Sequence, residues 1–320
     1  MRMETNKLCD RCLTIPFDPR HPPFKVELFP NEYELGALFE LPDRMHCPLC
    51  RLLRNATDSN QNPLPPSTPL TLKWYKDTRT FRLHGVVHTS ICLVGDQSTA
   101  PSSNGIFFPV SRLEVDLARV RGWMRWCFQN HPQCRVKVSS GGPAEKHRQS
   151  NSYQLPSLRV IDVVDSCIVD KAPSSYLALS YVWGGVPNFR LTTSNRTALA
   201  QPGRLQEFWR LLPKTIQDAI KVVRSLGERY LWVDSLCLIQ NDPEDLQIGI
   251  AVMDLIYERA TMTIIAASGP HADYGLPGVM GTPRSITKHI EEIRPGIKLA
   301  CYPTLDQLLL RTAYNRRAWT

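Results

Sequence analysis

No stretch of the 320-residue chain approaches the roughly 18 consecutive apolar residues of a membrane span. The first dozen residues, Met1 to Cys12, are polar and lack the apolar core of a secretory signal. Both absences place the chain in a cytoplasmic, reducing setting, with no membrane partner. Lysine and arginine give a net charge of +8, yet they form no long basic block, and the cationic side chains do not interleave with stacking aromatics. That argues against nucleic acid as the partner. No internal repeat is visible, and no Gly-x-Gly-x-x-Gly run marks a dinucleotide loop.

What is present is enough for a core. Hydrophobic residues make up 42% of the chain, charged residues 21%, and 26 prolines punctuate it, so the chain reads as ordered segments joined by stiff connections. Its length suits about two domains. The ten cysteines, in a reducing compartment, point to metal ligation or burial before disulfides.

Two Cys-x-x-Cys pairs lie near the start, Cys9/Cys12 and Cys47/Cys50. Each gives a tight two-ligand turn, and together they supply the four thiolates of a tetrahedral zinc site, with metal–sulfur bonds of about 2.3 Å. The alternative is four unligated thiols. A second run, Cys127-x3-His131-x2-Cys134, places Cys127 and His131 on one helical face. It reads either as a metal site short of a fourth ligand or as buried thiols beside a helix-ending histidine.

Three regions follow from composition: 1–53 as a Cys-x-x-Cys region and candidate zinc module, 54–150 as linker, short strands and a helix, and 151–320 as the main domain. The Asn/Ser/Thr/Pro-rich stretch from Asn55 to Pro69 reads as a loop, as do Gln97 to Gly105 and Ser139 to Ser152. Residues 70–95 alternate as strands do. Leu113, Leu117, Val120, Met124 and Cys127 recur at helical spacing, and Pro132 stops that helix.

The last half is regular. Pro156 to Val163 opens a strand with which Cys167-Ile-Val can pair. Tyr176 to Trp183 is a near-continuous apolar strand ended by Gly184-Gly185. Ile216, Ala219, Ile220 and Val223 recur at helical spacing up to Gly227. Tyr230 to Leu236 forms the next strand, Asp242 opens a helix with an inner face of Leu246, Ile250, Met253 and Tyr257, and Met262 to Ala267 is a third strand. Strands alternating with helices predict an α/β fold: three layers around a mostly parallel sheet, with a small Cys-rich N-terminal region.

In such a sheet ligands bind at the strand carboxyl ends. Trp183, Gly184, Gly185 and Asp234 fall there. The glycines form either a plain turn or a loop that lets a ligand approach. Asp234 either binds a ribose hydroxyl, acts as a base, or caps loop amides. Cys237 is a buried thiol or, with His271 nearby, a nucleophile. Asp218 either hydrogen-bonds the loop after Trp183 or is a solvated helix residue. Gln240, Asp242 and Tyr257 line the same edge or serve as caps and packing, and Trp319 packs.

Several of these runs, in order, resemble the heterokaryon incompatibility (HET) domain of filamentous fungi: Leu177-Ala-Leu-Ser-Tyr-Val-Trp-Gly-Gly, Leu212-Pro-Lys-Thr-Ile-Gln-Asp-Ala, Tyr230-Leu-Trp-Val-Asp-Ser-Leu-Cys-Leu-Ile-Gln, Met253-Asp-Leu-Ile-Tyr-Glu-Arg-Ala, Gly275-Leu-Pro-Gly-Val and Arg317-Ala-Trp-Thr. The segment Trp123 to Cys134 and the paired Cys-x-x-Cys elements are similar to what precedes that domain. The resemblance implies a module of nonself recognition after cell fusion that ends in programmed cell death, with self-association or a recognition protein as partner. HET domains have been likened to TIR domains, which share a flavodoxin-like α/β fold and some of which cleave NAD with a glutamate, so the resemblance implies a flavodoxin/TIR-like sheet here. That makes an NAD-cleaving hydrolase the rival reading, with NAD as substrate, though no motif maps the glutamate onto this chain, so the catalytic residues stay unassigned. A zinc-dependent nucleic-acid binder is the third. Where the family carries Asp after the glutamine matching Gln240, this chain has Asn241. The final motif, which in the family continues with Gln-Glu, stops at Thr320, as a truncated domain would.

Overall fold

The computed structural model describes residues 7–17, 32–58, 63–75, 80–86, 89–94, 106–107, 114–132, 134, 158–171, 175–284, 289–303, 305–310 and 312–316. The expectations for Gln97 to Gly105, Ser139 to Ser152 and Trp319 lie outside, or almost wholly outside, these residues. The chain divides into two compact units, 1–110 with 286–311, and 111–285 with 312–320.

The first unit begins with a helical turn at Asp10–Leu13 and strand β1 (Glu32–Ala37), followed by a helix over Pro48–Asp58. That helix runs through Asn55, where composition reads as loop. The reason is its spacing: Leu49, Leu52, Leu53 and Ala56 share one face and are buried at 1% exposure or less, and Pro48 suits a first helical turn. Strands β2 (Pro69–Tyr75), β3 (Thr80–Leu83), β4 (Thr89–Val94) and β5 (Ile106–Phe107) follow. β1 to β4 pair in sequence as antiparallel neighbours, and β5 adds in parallel to β4. On β2, Leu70, Leu72 and Trp74 point into the core while Thr71, Lys73 and Tyr75 point outward, the period of two that a half-buried strand requires.

The second unit holds β6 (Leu158–Asp162), β7 (Cys167–Lys171), β8 (Leu177–Ser180), β9 (Tyr230–Trp232) and β10 (Met262–Ile265), in the spatial order β10-β8-β9-β6-β7. β10, β8 and β9 are parallel, as strand–helix–strand alternation predicts. β9 to β6 and β6 to β7 are antiparallel. The chain then returns to the first unit with β11 (His289–Arg294) and β12 (Ile297–Pro303), a hairpin whose β12 pairs antiparallel with β4.

The expectation of a mostly parallel, three-layer flavodoxin-like fold is therefore wrong on two counts. The larger sheet is antiparallel along its main path, β1-β2-β3-β4-β12-β11, and belongs to a unit with a core of its own. The smaller sheet is mixed. Only four residues, Val163 to Ser166, join β6 to β7. So short a connection permits only an antiparallel hairpin, since a parallel crossover needs a dozen residues or more.

Other boundaries shift too. The strand expected over Tyr230 to Leu236 ends at Trp232, and Asp234–Cys237 forms a single helical turn in which the Leu236 and Cys237 amides donate to the Val233 carbonyl at 3.0 and 2.7 Å. The helix begun at Asp242 breaks at Val252 into Pro243–Ala251 and Met253–Arg259. The break turns Ile250 out to 52% exposure, while Leu246, Met253 and Tyr257 pack on the core. The Lys214–Leu226 helix buries Ile216, Ala219, Ile220 and Val223 and ends at Gly227 with φ +79°, a left-handed cap that glycine adopts without steric cost.

Candidate functional site

The carboxyl ends of β8 and β9 bring Trp183 and Asp234 together. Trp183 Nε1 donates to Asp234 Oδ2 at 3.0 Å, and the Ser235 amide donates to Asp234 Oδ1 at 2.7 Å. Behind them, Tyr181 donates its hydroxyl to Ser235 Oγ at 2.9 Å, and Asn188 donates to the Tyr181 oxygen at 3.4 Å. Burial pushes the Tyr181 phenol well above its usual range, and the Asp234 charge adds to that. It therefore stays a proton donor. The Arg190 guanidinium lies 5.0 Å over the Trp183 ring.

Gly184 has φ +66°, and a Cβ there would lie 2.5 Å from His271 Cβ and 2.9 Å from its Cα. The Ala272 amide donates to the Trp183 carbonyl at 3.0 Å. The glycine is thus required by the backbone of 270–272 crossing over it. A Cβ on Gly185 would meet nothing within 4 Å. His271 Nδ1 is buried with no hydrogen-bond partner among the described residues.

Asp218 is fully buried, and its partners are not the loop after Trp183. Oδ2 accepts from the Leu276 amide at 3.0 Å and the Thr282 hydroxyl at 2.7 Å, while Lys214 bonds Oδ1 and Lys221 lies 3.7 Å from it. The carboxylate therefore pins the Gly275-Leu-Pro-Gly-Val loop to the helix. Gly275, φ +83°, has no room for a side chain: a Cβ would stand 2.9 Å from Asp218 Oδ2.

The remaining edge residues have local partners. Gln240 donates through Nε2 to the Asp234 and Leu238 carbonyls at 3.0 and 3.1 Å. Asp242 caps its helix, accepting from the Glu244 and Asp245 amides. Tyr257 donates to the Leu179 carbonyl at 3.2 Å and meets Trp232 edge-on. Asn241, where the family carries an acid, accepts from the Thr193 amide at 2.9 Å and donates to the Thr193 hydroxyl at 3.0 Å. Cys237 is 1% exposed and takes the Val233 amide at 3.3 Å. Burial pushes its thiol up to about 12, which removes the thiolate a nucleophile needs.

Sequence reasoning missed Arg190, Ser235 and the Arg159–Asp245 pair. Asp245 takes the Arg159 guanidinium on one oxygen and the Ile239 amide on the other at 2.7 Å, and Arg159 also donates to the Cys237 carbonyl at 2.9 Å. An arginine in an apolar strand was the available signal, since such a charge must find a partner.

In the first unit the four thiols of Cys9, Cys12, Cys47 and Cys50 lie within 4.8 Å of one another, three of them buried. Cys50 Sγ stands 3.7 Å from both Cys9 Sγ and Cys12 Sγ. The edge of a tetrahedral tetrathiolate zinc site is about 3.8 Å, from its metal–sulfur distance, so the residues fit the ion with little movement. The Cys12 thiol is pushed up by hydrogen bonding to Cys47, and the Cys47 thiol down by hydrogen bonds from Cys12 and Cys50. Left alone, the group shares protons. A dication allows all four to ionise.

Cys127, His131 and Cys134 also converge within 4.8 Å, at the end of the Leu117–Asn130 helix. No helix among the described residues is long and apolar enough to cross a membrane.

Residues 176–320 match the family model described as Heterokaryon incompatibility protein (HET). No curated protein and no solved structure matches the chain.

Proposed function

Taking as premise that the chain is a HET-domain protein, its domain spanning residues 176–320, we propose that it is a signalling and interaction module of fungal nonself recognition, acting in the cytoplasm and ending in programmed cell death. Its partners are proteins, either a second copy or a recognition partner. One observation carries the module over a hydrolase. The polar groups of the candidate edge bond one another: Asp234 holds Trp183 and Ser235, Asp218 holds the 276–282 loop, and Cys237 is a buried thiol. Groups spent in this way build a surface rather than attack a substrate.

Induced expression of the chain in a filamentous fungus, with viability and sedimentation of the chain followed together, tests the reading. Growth arrest is expected to accompany assembly into larger species. Arrest by a chain that stays monomeric and unassociated would overturn it.

The Cys9, Cys12, Cys47 and Cys50 centre is proposed as a closed structural zinc site. Four protein sulfurs leave no position for substrate, so the ion would hold the N-terminal unit together. This centre is expected to contribute about one zinc per chain, lost in Cys47→Ser/Cys50→Ser. Unchanged metal content in that variant would reject the site.

A further inference from the structure

The turn that ends the Leu117–Asn130 helix gathers three metal-binding side chains that the edge above does not use. Cys127 sits in the last helical turn, His131 at the C-cap and Cys134 just beyond. The His131 amide donates to the Cys127 carbonyl at 2.9 Å, and the Cys134 amide to the His131 carbonyl at 3.0 Å, so the backbone itself folds Cys-x3-His-x2-Cys into one loop. Cys127 Sγ lies 3.3 Å from His131 Nδ1 and 3.2 Å from Cys134 Sγ. In a tetrahedral zinc site those edges are about 3.5 and 3.8 Å, so an ion seats with shifts of about half an ångström.

Two features prepare the loop. Trp126 meets the His131 ring edge-on, with centroids 5.1 Å apart, and limits its rotation. The helix behind is anchored through Leu117, Val120 and Met124 on the core. A helix C-terminus is a poor place for bare thiolates and a good one for a cation. Cys127 and Cys134 are only half-buried, and His131 is exposed, so among the described residues no fourth protein donor closes the site.

We propose that Cys127, His131 and Cys134 bind a zinc ion as its three donors among the described residues, with the fourth position open to an outside ligand. Binding releases the two thiol protons to solvent and leaves a neutral centre of one dication and two thiolates. The ion exchanges readily and takes soft donors, thiolate or imidazole, from outside. This separates it in kind from the closed four-thiol centre, and it does not depend on that centre.

The test is zinc content of the full chain, equilibrated with zinc under reducing conditions, against Cys127→Ser/Cys134→Ser and His131→Ala. The double variant is expected to hold about one ion fewer per chain than the parent, whatever the other centre holds. His131→Ala removes only an exposed side chain. Its cobalt titration should show the weaker of the parent's binding phases loosened about a hundredfold or more, beyond the roughly 10–100-fold that loss of an outer hydrogen-bond partner costs. Equal stoichiometry in parent and double variant, or a cobalt titration unchanged by His131→Ala, would overturn the proposal.

Discussion

The two units solve the same problem with different chemistry. Each must fasten irregular chain to a packed core. The N-terminal unit does so with sulfur: Cys12, Cys47 and Cys50 are buried among Leu8, Ile15, Leu49 and Leu53. The second unit does so with carboxylates and hydroxyls, the buried Asp218 under the 276–282 loop and the half-buried Asp234 with Ser235 and Tyr181 beneath Trp183. With zinc in the proposed site, the thiol cluster's hold depends on the ion. A carboxylate network holds while its members stay ionised and paired. The polar residues most visible in the HET motifs are accordingly its fasteners.

The largest expected effect breaks the N-terminal side alone. Chelation, or Cys47→Ser/Cys50→Ser, should unfold that unit, because binding free energy at a structural zinc site is folding free energy. Hydrogen exchange should rise across β1 to β4 while β8 and β9 keep their protection. Next, Asp218→Ala should destabilise the second unit by about 3–5 kcal/mol, since it strands the Leu276 amide and Thr282 hydroxyl in a dry site and leaves two lysines facing a lost charge. A urea midpoint measures this. Gly184→Ala should cost about 1–3 kcal/mol from positive φ alone, with the His271 contact added. Trp183→Phe, which keeps the ring and deletes the Nε1–H bond to Asp234, should cost about 1 kcal/mol.

The smallest effect is a pH dependence. Burial raises the Asp245 carboxyl, but the Arg159 and Ile239 bonds outweigh it and the net shift is downward. A carboxyl lowered on folding adds stability above its unfolded value of about 3.9 and loses that contribution as pH falls through the folded value. Asp245→Asn should therefore cost less than about 1 kcal/mol at pH 7, and progressively less as the pH falls below the unfolded value, to about 2. Urea midpoints of both proteins at the two pH values check it.

Local pattern told much of this, and partner choice was what it withheld. The strand cores at Leu177, Tyr230 and Met262 and the inner face of the Lys214–Leu226 helix were legible because apolar spacing is a local property. So were the four cysteines, whose pairing into turns is written in their spacing. The pairing of β9 with β6, and of β4 with β12, was not, because strand neighbours are settled by contacts far apart in the chain. Asp218 shows the limit in one residue. It reads as an odd acid on an apolar helix, and its meaning lies with Leu276 and Thr282, more than fifty positions on. Asp234 was legible as a residue at a strand end, but whether it meets a ligand or Trp183 depended on a loop whose path only the fold decides.

The central proposal is that the edge carrying Trp183 and Asp234 serves as a surface of the domain rather than as a site that cleaves a dinucleotide. NAD content, followed alongside growth in a fungus expressing the chain or its Asp234→Asn variant, tests this most directly. NAD is expected to stay at the control level while growth stops. A fall in NAD that precedes arrest and disappears in Asp234→Asn would contradict the account.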